Sequence, residues 1–292
     1  MMIHRPDFIV VGAMKSATTT LHEQLARQSG LFMCHPKEPN FFSDDANYAR
    51  GWKWYGALFR PAGDTELRGE SSTHYTKLPT YPRTVDRMVR DLPRLKLIYV
   101  MRHPIDRLAS HYVHEVTTGR IRVNVAEAVE QLPELIDYGR YSRQLQPFLD
   151  AYGPASVLPV FFPRLVSHSQ AELERIGRFL GVEHPLCWDD DLEPQNQGSE
   201  RLRPSAVRAA LVQAPVLTAI RQKVVPRTWS RPLKAFWRAR VEPPRISPVL
   251  RSRLCELFDP DLAELGSWLG VSLDCETFHQ QTVDRPLNWA AI

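Results

Sequence analysis

The run Phe8-Ile9-Val10-Val11-Gly12-Ala13-Met14-Lys15-Ser16-Ala17-Thr18-Thr19-Thr20-Leu21 decides how the rest of the chain is read. Its apolar start, Phe8 to Val11, suits a buried strand and stops at Gly12. A lysine and a cluster of hydroxyls follow. A helical pattern then takes over, with Leu21, Leu25 and Ala26 on one face and His22, Glu23, Gln24 and Arg27 on the other. Strand, tight loop and helix N-terminus in that order aim unpaired backbone N–H groups and the positive end of a helix dipole at one point. Such a point holds an anion, most often a phosphate. Lys15 adds a full charge there, and Thr18, Thr19 and Thr20 add hydroxyl donors.

The triphosphate-binding pattern G-x-x-x-x-G-K-[ST] finds its last pair in Lys15-Ser16, but its glycine positions hold Ile9 and Met14. Those glycines let a backbone wrap a triphosphate. A shorter loop, with its lysine three residues after Gly12, suits a single 5′-phosphate. An ordinary βα turn carrying a surface lysine would look the same locally, so the downstream residues decide.

Gly30 to Cys34 reads as a short strand running into His35-Pro36-Lys37-Glu38-Pro39-Asn40-Phe41-Phe42. The prolines exclude a helix and imply an extended, stiff loop that presents Glu38 beside inward-packing aromatics. Burial among them would raise its pKa. Tyr48 to Phe59 is expected to be an aromatic-rich helix against that loop. Arg68 to Tyr75 reads as a strand end entering a polar loop, and Thr84 to Leu92 as a helix. Leu95 to Met101 is the clearest buried strand. It ends at Arg102, and a helix with proline in its first turn runs from Pro104 through His114. Arg102 therefore stands at the carboxyl end of a parallel strand, where open α/β sheets place ligands. Ser110 lies about two turns into the helix, placed to face the same anion; a salt bridge from Arg102 to Asp106 is the plainer alternative.

Val125–Leu135, Tyr141–Tyr152 and Ala171–Leu180 are further expected helices. Val157 to Phe162 is a strand that Pro159 assigns to an edge or a bulge. Glu193 to Pro204 reads as polar loop. Two final helices are expected over Val249–Phe258 and Asp261–Leu269. The sum is an α/β fold: a single P-loop-like domain over residues 1–292 with a central, mostly parallel sheet flanked by helices.

Composition narrows the class. Hydrophobic and charged fractions of 43% and 24% are those of an ordinary globular chain, and no apolar run approaches a membrane span. The first strand follows the N-terminus so closely that no signal peptide is expected. Cys34, Cys187, Cys255 and Cys275 are scattered and indicate neither a zinc site nor a disulfide framework. A cytoplasmic setting and a metal-free site are the expectations. The net charge of +4 is uneven: residues 201–253 hold thirteen Lys or Arg against one acid, Glu242. Prolines break this basic stretch into short expected helices. It reads mainly as a solvated face, with peripheral contact to an anionic membrane or acceptor, and no specific nucleic acid, as further roles.

Three of these pieces together resemble the sulfotransferases that use 3′-phosphoadenosine 5′-phosphosulfate (PAPS), most closely the branch with heparan sulfate enzymes and bacterial relatives. The family's K-x-G-T-T-x-L loop is matched by Lys15 to Leu21, its K-E-P-x-F-F segment by Lys37 to Phe42, and its R-x-P with a serine eight residues on by Arg102, Pro104 and Ser110. The resemblance implies that Lys15 stabilises the leaving phosphate. Gly12, Ser16, Ala17, Thr18, Thr19 and Thr20 would cradle the 5′-phosphate, and Arg102 and Ser110 would hold the 3′-phosphate. Glu38 would take the proton from an acceptor hydroxyl, or less readily an amine, on a small molecule, glycan or glycolipid. PAPS would be the donor and PAP the product.

Four positions depart from the family's pattern. Ala17 replaces a glycine. Asn40, Ser43 and Ser71 replace a histidine, an aspartate and a lysine of the heparan-type enzymes, which argues against a heparan-type acceptor. His74, His35 and Glu70 stand as substitutes for, or assistants to, Glu38. The alternatives in other classes are a nucleotide kinase with an atypical P-loop and a non-catalytic nucleic-acid or membrane binder using residues 201–253.

Overall fold

In the computed structural model, residues 4–192, 202–204, 238–240 and 243–290 are described. Five strands, β1 (Phe8–Gly12), β2 (Leu31–Met33), β3 (Leu67–Ser71), β4 (Lys96–Met101) and β5 (Val157–Phe161), form one sheet in the order β2-β3-β1-β4-β5. Every pairing is parallel. A parallel sheet needs crossovers and is covered on both faces, which favours apolar runs in its strands; β1 and β5 are buried at every position. Alternation sorts the two faces. Ile9, Val11, Leu97, Tyr99 and Met101 enter one core, while Phe8, Val10, Ile98 and Val100 enter the other.

After β1 the chain passes to β2 at the edge, comes back to insert β3 between β2 and β1, and then crosses to place β4 on the other side of β1. The strand order thus reverses between β1 and β4. At that switch point the loops leaving the carboxyl ends of the two strands part and open a crevice. Pro159 sits on β5, an edge strand, where a missing N–H costs no ladder bond on the open side.

The helices are α1 (Thr18–Ala26), α2 (Asp45–Ala49), α3 (Gly51–Tyr55), α4 (Thr84–Asp91), α5 (Pro104–Thr117), α6 (Val125–Gln131), α7 (Glu134–Asp137), α8 (Tyr141–Tyr152), α9 (Phe162–Ser167), α10 (Ser169–Leu180), α11 (Pro248–Leu269) and α12 (Phe278–Val283). Several boundaries correct the expectations. The single helix expected over Tyr48–Phe59 is two short helices and a 3₁₀ turn, because Gly51, the first residue of α3, takes φ +70° and breaks the run after α2. The helix expected over Val125–Leu135 breaks at Pro133. Conversely, the two expected helices near the C-terminus are one. Pro260 lies inside α11, where the buried stripe Leu254, Phe258, Leu262, Leu265 and Leu269 runs through it. Burying those side chains, at roughly 1.5–3 kcal/mol each, outweighs the ~3 kcal/mol penalty of an interior proline. Residues 202–204 and 238–240 pair as an antiparallel two-stranded ribbon, so that part of the basic stretch is not helical. Most of that stretch and of the Glu193–Pro204 loop lies outside the described residues. Among the described residues no helix is long and apolar enough to cross a membrane.

Candidate active site

Lys15 follows β1 on a tight loop in which Lys15 (φ +70°) and Ala17 (φ +63°) are left-handed. Left-handed residues set into such a loop turn successive N–H groups inward, a concavity that favours anions. Ala17 occupies the N-cap position of α1 and makes no side-chain cap there. A Cβ in this region costs roughly 1–2 kcal/mol, so the loop keeps the tight winding of a glycine loop at the expense of some strain. The first N–H groups of α1 open into the same space.

The loop forms one end of a cavity of about 920 Å³. Lys15, Ala17, Thr18, Thr19 and Thr20 line it, and so do Glu38, Arg102 and Ser110. Two of the expected phosphate contacts do not reach the wall. Ser16 is fully buried beneath the loop, its Oγ without a partner among the described residues. Gly12 is needed for packing instead: a Cβ there would stand 2.0 Å from Thr76 Oγ1 and 2.9 Å from the Tyr99 ring.

Arg102 emerges from β4, the strand hydrogen-bonded to β1. Its backbone is clamped by the Tyr141 hydroxyl, which accepts from Arg102 N–H at 3.2 Å and donates to the Arg102 carbonyl. The guanidinium lies 4.8 Å from the Phe162 ring and donates to the Lys15 carbonyl at 3.5 Å. Its Nε, buried, has no partner among the described residues. Asp106 lies on the same wall but forms no ion pair with Arg102 among the described residues. Ser110, from α5, faces the same space.

Glu38 enters from the loop after β2. That loop is strapped to the β3 side of the sheet: Cys34 N–H donates to Gly69 O at 2.9 Å, Glu38 N–H to Ser71 O at 3.0 Å, and Asn40 N–H to Ser72 Oγ at 3.1 Å. Phe41 and Phe42 are buried, and Phe41 stacks on Tyr55 with ring centroids 4.3 Å apart. The loop is not uniformly extended, for Glu38 (φ +59°) and Asn40 (φ +50°) are left-handed and turn the carboxylate toward the cavity. Glu38 Oε1 accepts from Lys37 Nζ at 2.8 Å and Thr73 Oγ1 at 3.2 Å. Burial pushes the carboxyl up, but the adjacent Lys37, its hydrogen bond, Lys77 and His74 together outweigh burial and hold it below the usual carboxylate value. The raised pKa expected from the sequence is therefore corrected: the loop brings cations as well as aromatics.

The three alternative bases separate cleanly. His35 is exposed and off the cavity wall. Glu70 is fully buried, accepts from the Tyr55 hydroxyl, and is likewise off the wall; burial raises it to about 7. His74 is on the wall, stacked on Tyr81 at 4.8 Å, and burial followed by Lys77 lowers it to about 4. A neutral imidazole remains there at ordinary pH. Ser71 is turned away from the cavity, with its Oγ 3.0 Å from His22 Nδ1.

Lys77 also lines the cavity, although nothing in the sequence singled it out. It is 8% exposed, and burial, only partly offset by Glu38 and Glu115, lowers it to about 8. Its signal was faint: a lysine in a loop rich in prolines and hydroxyls, with no charged partner nearby in sequence.

The arrangement has the features of an anion-transfer site in an α/β protein: two cationic poles on neighbouring strand tips and a carboxylate beside them. Comparison with known proteins fits this class. Residues 57–186 match the model of the Sulfotransferase family. The chain is 30% identical over 221 residues to human bifunctional heparan sulfate N-deacetylase/N-sulfotransferase 2, covering 67% of this chain and 25% of that protein. It is 28% identical over 192 residues to mouse heparan sulfate glucosamine 3-O-sulfotransferase 3A1, covering 61% of this chain and 46% of the relative. The chain thus spans a quarter to a half of the length of these relatives. The crystal structure of a sulfotransferase from Alicyclobacillus acidocaldarius superposes with a TM-score of 0.67 at 22% identity, over 93% of this chain and 98% of the other. The family match and these relatives support a place for the chain among the sulfotransferases, and the solved structure shares its fold.

Proposed function

We propose that the protein transfers a sulfuryl group from PAPS to a hydroxyl, or less readily an amine, of a small-molecule, glycan or glycolipid acceptor. The observation that carries this reading is the meeting of Lys15, Arg102, Ser110 and Glu38 on one cavity at the switch point. The residues fit a doubly anionic nucleotide: Arg102 Nε, on the strand tip beside the Lys15 loop, is a buried donor without a partner among the described residues. PAPS supplies an activated sulfuryl group whose departure leaves charge on a 5′-phosphate. Lys15 and the N-terminus of α1 meet that charge without reorganising. Arg102 and Ser110 orient the nucleotide through its 3′-phosphate. Glu38, ionised at neutral pH, accepts the proton of the acceptor hydroxyl as its oxygen attacks, and Thr73 and Lys37 keep the carboxylate in place.

Positioning and charge neutralisation suffice for an in-line transfer of this kind. The relatives' names concern heparan sulfate; Asn40, Ser43 and Ser71 leave the acceptor of this chain open among hydroxyl-bearing compounds. The nucleotide-kinase alternative finds no support in the family match or in these relatives.

The test is incubation with labelled PAPS and a panel of hydroxyl acceptors, read by product mass. Wild type should form a sulfated product. Glu38→Gln should lose roughly 10²–10⁴-fold in turnover while binding adenosine 3′,5′-bisphosphate as wild type does. A variant of full activity would remove Glu38 from the mechanism.

A further inference from the structure

Cys255 and Asp259 stand one turn apart on α11 and so share a face. Cys275 arrives from the loop between α11 and α12, and the two thiol sulfurs and a carboxylate oxygen lie within 4.8 Å of one another. Cys275 is buried; Cys255 and Asp259 are half-buried. Asp259 Oδ1 accepts the Cys275 backbone N–H at 2.8 Å, which fixes the carboxylate against the loop and leaves its second oxygen for another partner. None of the three lines the catalytic cavity. We propose that Cys255, Asp259 and Cys275 form a binding site for a thiophilic divalent cation of the zinc class.

The ligand chemistry makes the choice. Two sulfurs and one oxygen suit zinc, whereas magnesium and calcium take oxygen ligands. With bonds of about 2.0–2.3 Å, a tetrahedral zinc site has edges of roughly 3.5 Å, so side-chain rotation closes the cluster. Three protein ligands leave the fourth position to water. A thiol ordinarily keeps its proton at neutral pH. Uptake therefore replaces protons: each S–H gives its proton to solvent as the sulfur takes the cation, with no change of oxidation state. The Cys275 carbonyl accepts from His103 Nε2 at 2.8 Å, and His103 follows Arg102 directly. A bound cation would thus tie α11 to the loop that backs the anion-binding arginine.

The experiment is a cobalt(II) titration of the reduced, tag-free full chain, followed by the thiolate-to-cobalt charge-transfer band and by competition with zinc. One cobalt per chain, taken up with release of protons and then displaced by zinc, is the expected result. Cys255→Ser and Asp259→Asn, checked for folding by circular dichroism, should each weaken uptake roughly tenfold or more, and Cys187→Ser should leave it unchanged. A missing charge-transfer band would overturn the proposal, as would uptake indifferent to Cys255→Ser. So would a reduced protein that binds no metal while oxygen converts the pair to a Cys255–Cys275 disulfide.

Discussion

At the residue scale the account turns on a carboxylate whose neighbours compete. Burial alone would make Glu38 a poor acid near neutrality, yet Lys37, Lys77 and His74 win, and its folded pKa lies below the ordinary value. The acid limb of kcat/KM should therefore fall below the ordinary carboxylate range, and Lys37→Met should move it upward, since removing the largest opposing charge lets burial act. A wild-type limb near neutrality would contradict this assignment. Glu70 behaves oppositely. Its folded pKa of about 7 exceeds the unfolded 4.5, so its contribution to stability is complete below the unfolded value and lost as pH rises through about 7. Glu70→Gln should thus gain on wild type in thermal melts across that window, by on the order of 3 kcal/mol at most; a constant difference would refute it. Both glutamates stand out in the sequence. Which one faces the cavity does not, because that depends on the left-handed turn at Glu38 and on the aromatic enclosure of Glu70.

Elements were legible where period and punctuation agree. The apolar runs Phe8–Val11 and Leu95–Met101 and the Pro104 helix start appear where their patterns place them. Pro260 misled because a continuous buried stripe outweighs a local breaker, and Gly51 because one left-handed residue divides an otherwise periodic aromatic run. Tyr141 was invisible for another reason. It marks a helix start in sequence, while its hydroxyl serves both backbone groups of Arg102 across 39 positions. Tyr141→Phe leaves an N–H and a C=O unserved beside β4, a cost of about 1–3 kcal/mol. Binding of adenosine 3′,5′-bisphosphate should weaken more than binding of adenosine 5′-monophosphate, because Arg102 is the group unmoored. Equal loss for both nucleotides, read by calorimetry, would make Tyr141 merely structural.

For the whole molecule, strand order does what no single motif can. Lys15 and Arg102 are far apart in sequence, but β1 and β4 are neighbours, and their loops part at the reversal of the sheet. The sequence pointed to both strand tips; their adjacency is a matter of topology, which periodicity does not encode. The Cys255–Asp259–Cys275 cluster was hidden likewise, since its members meet only through the path of the chain after α11. The central claim is that the two tips grip opposite anionic ends of one nucleotide. Calorimetry with adenosine 3′,5′-bisphosphate and adenosine 5′-monophosphate on wild type, Lys15→Ala and Arg102→Ala tests it most directly. Wild type should prefer the bisphosphate, Arg102→Ala should lose that preference, and Lys15→Ala should weaken both nucleotides while keeping it. A preference that survives Arg102→Ala, or a protein that binds ATP with magnesium in place of the bisphosphate, would contradict the account.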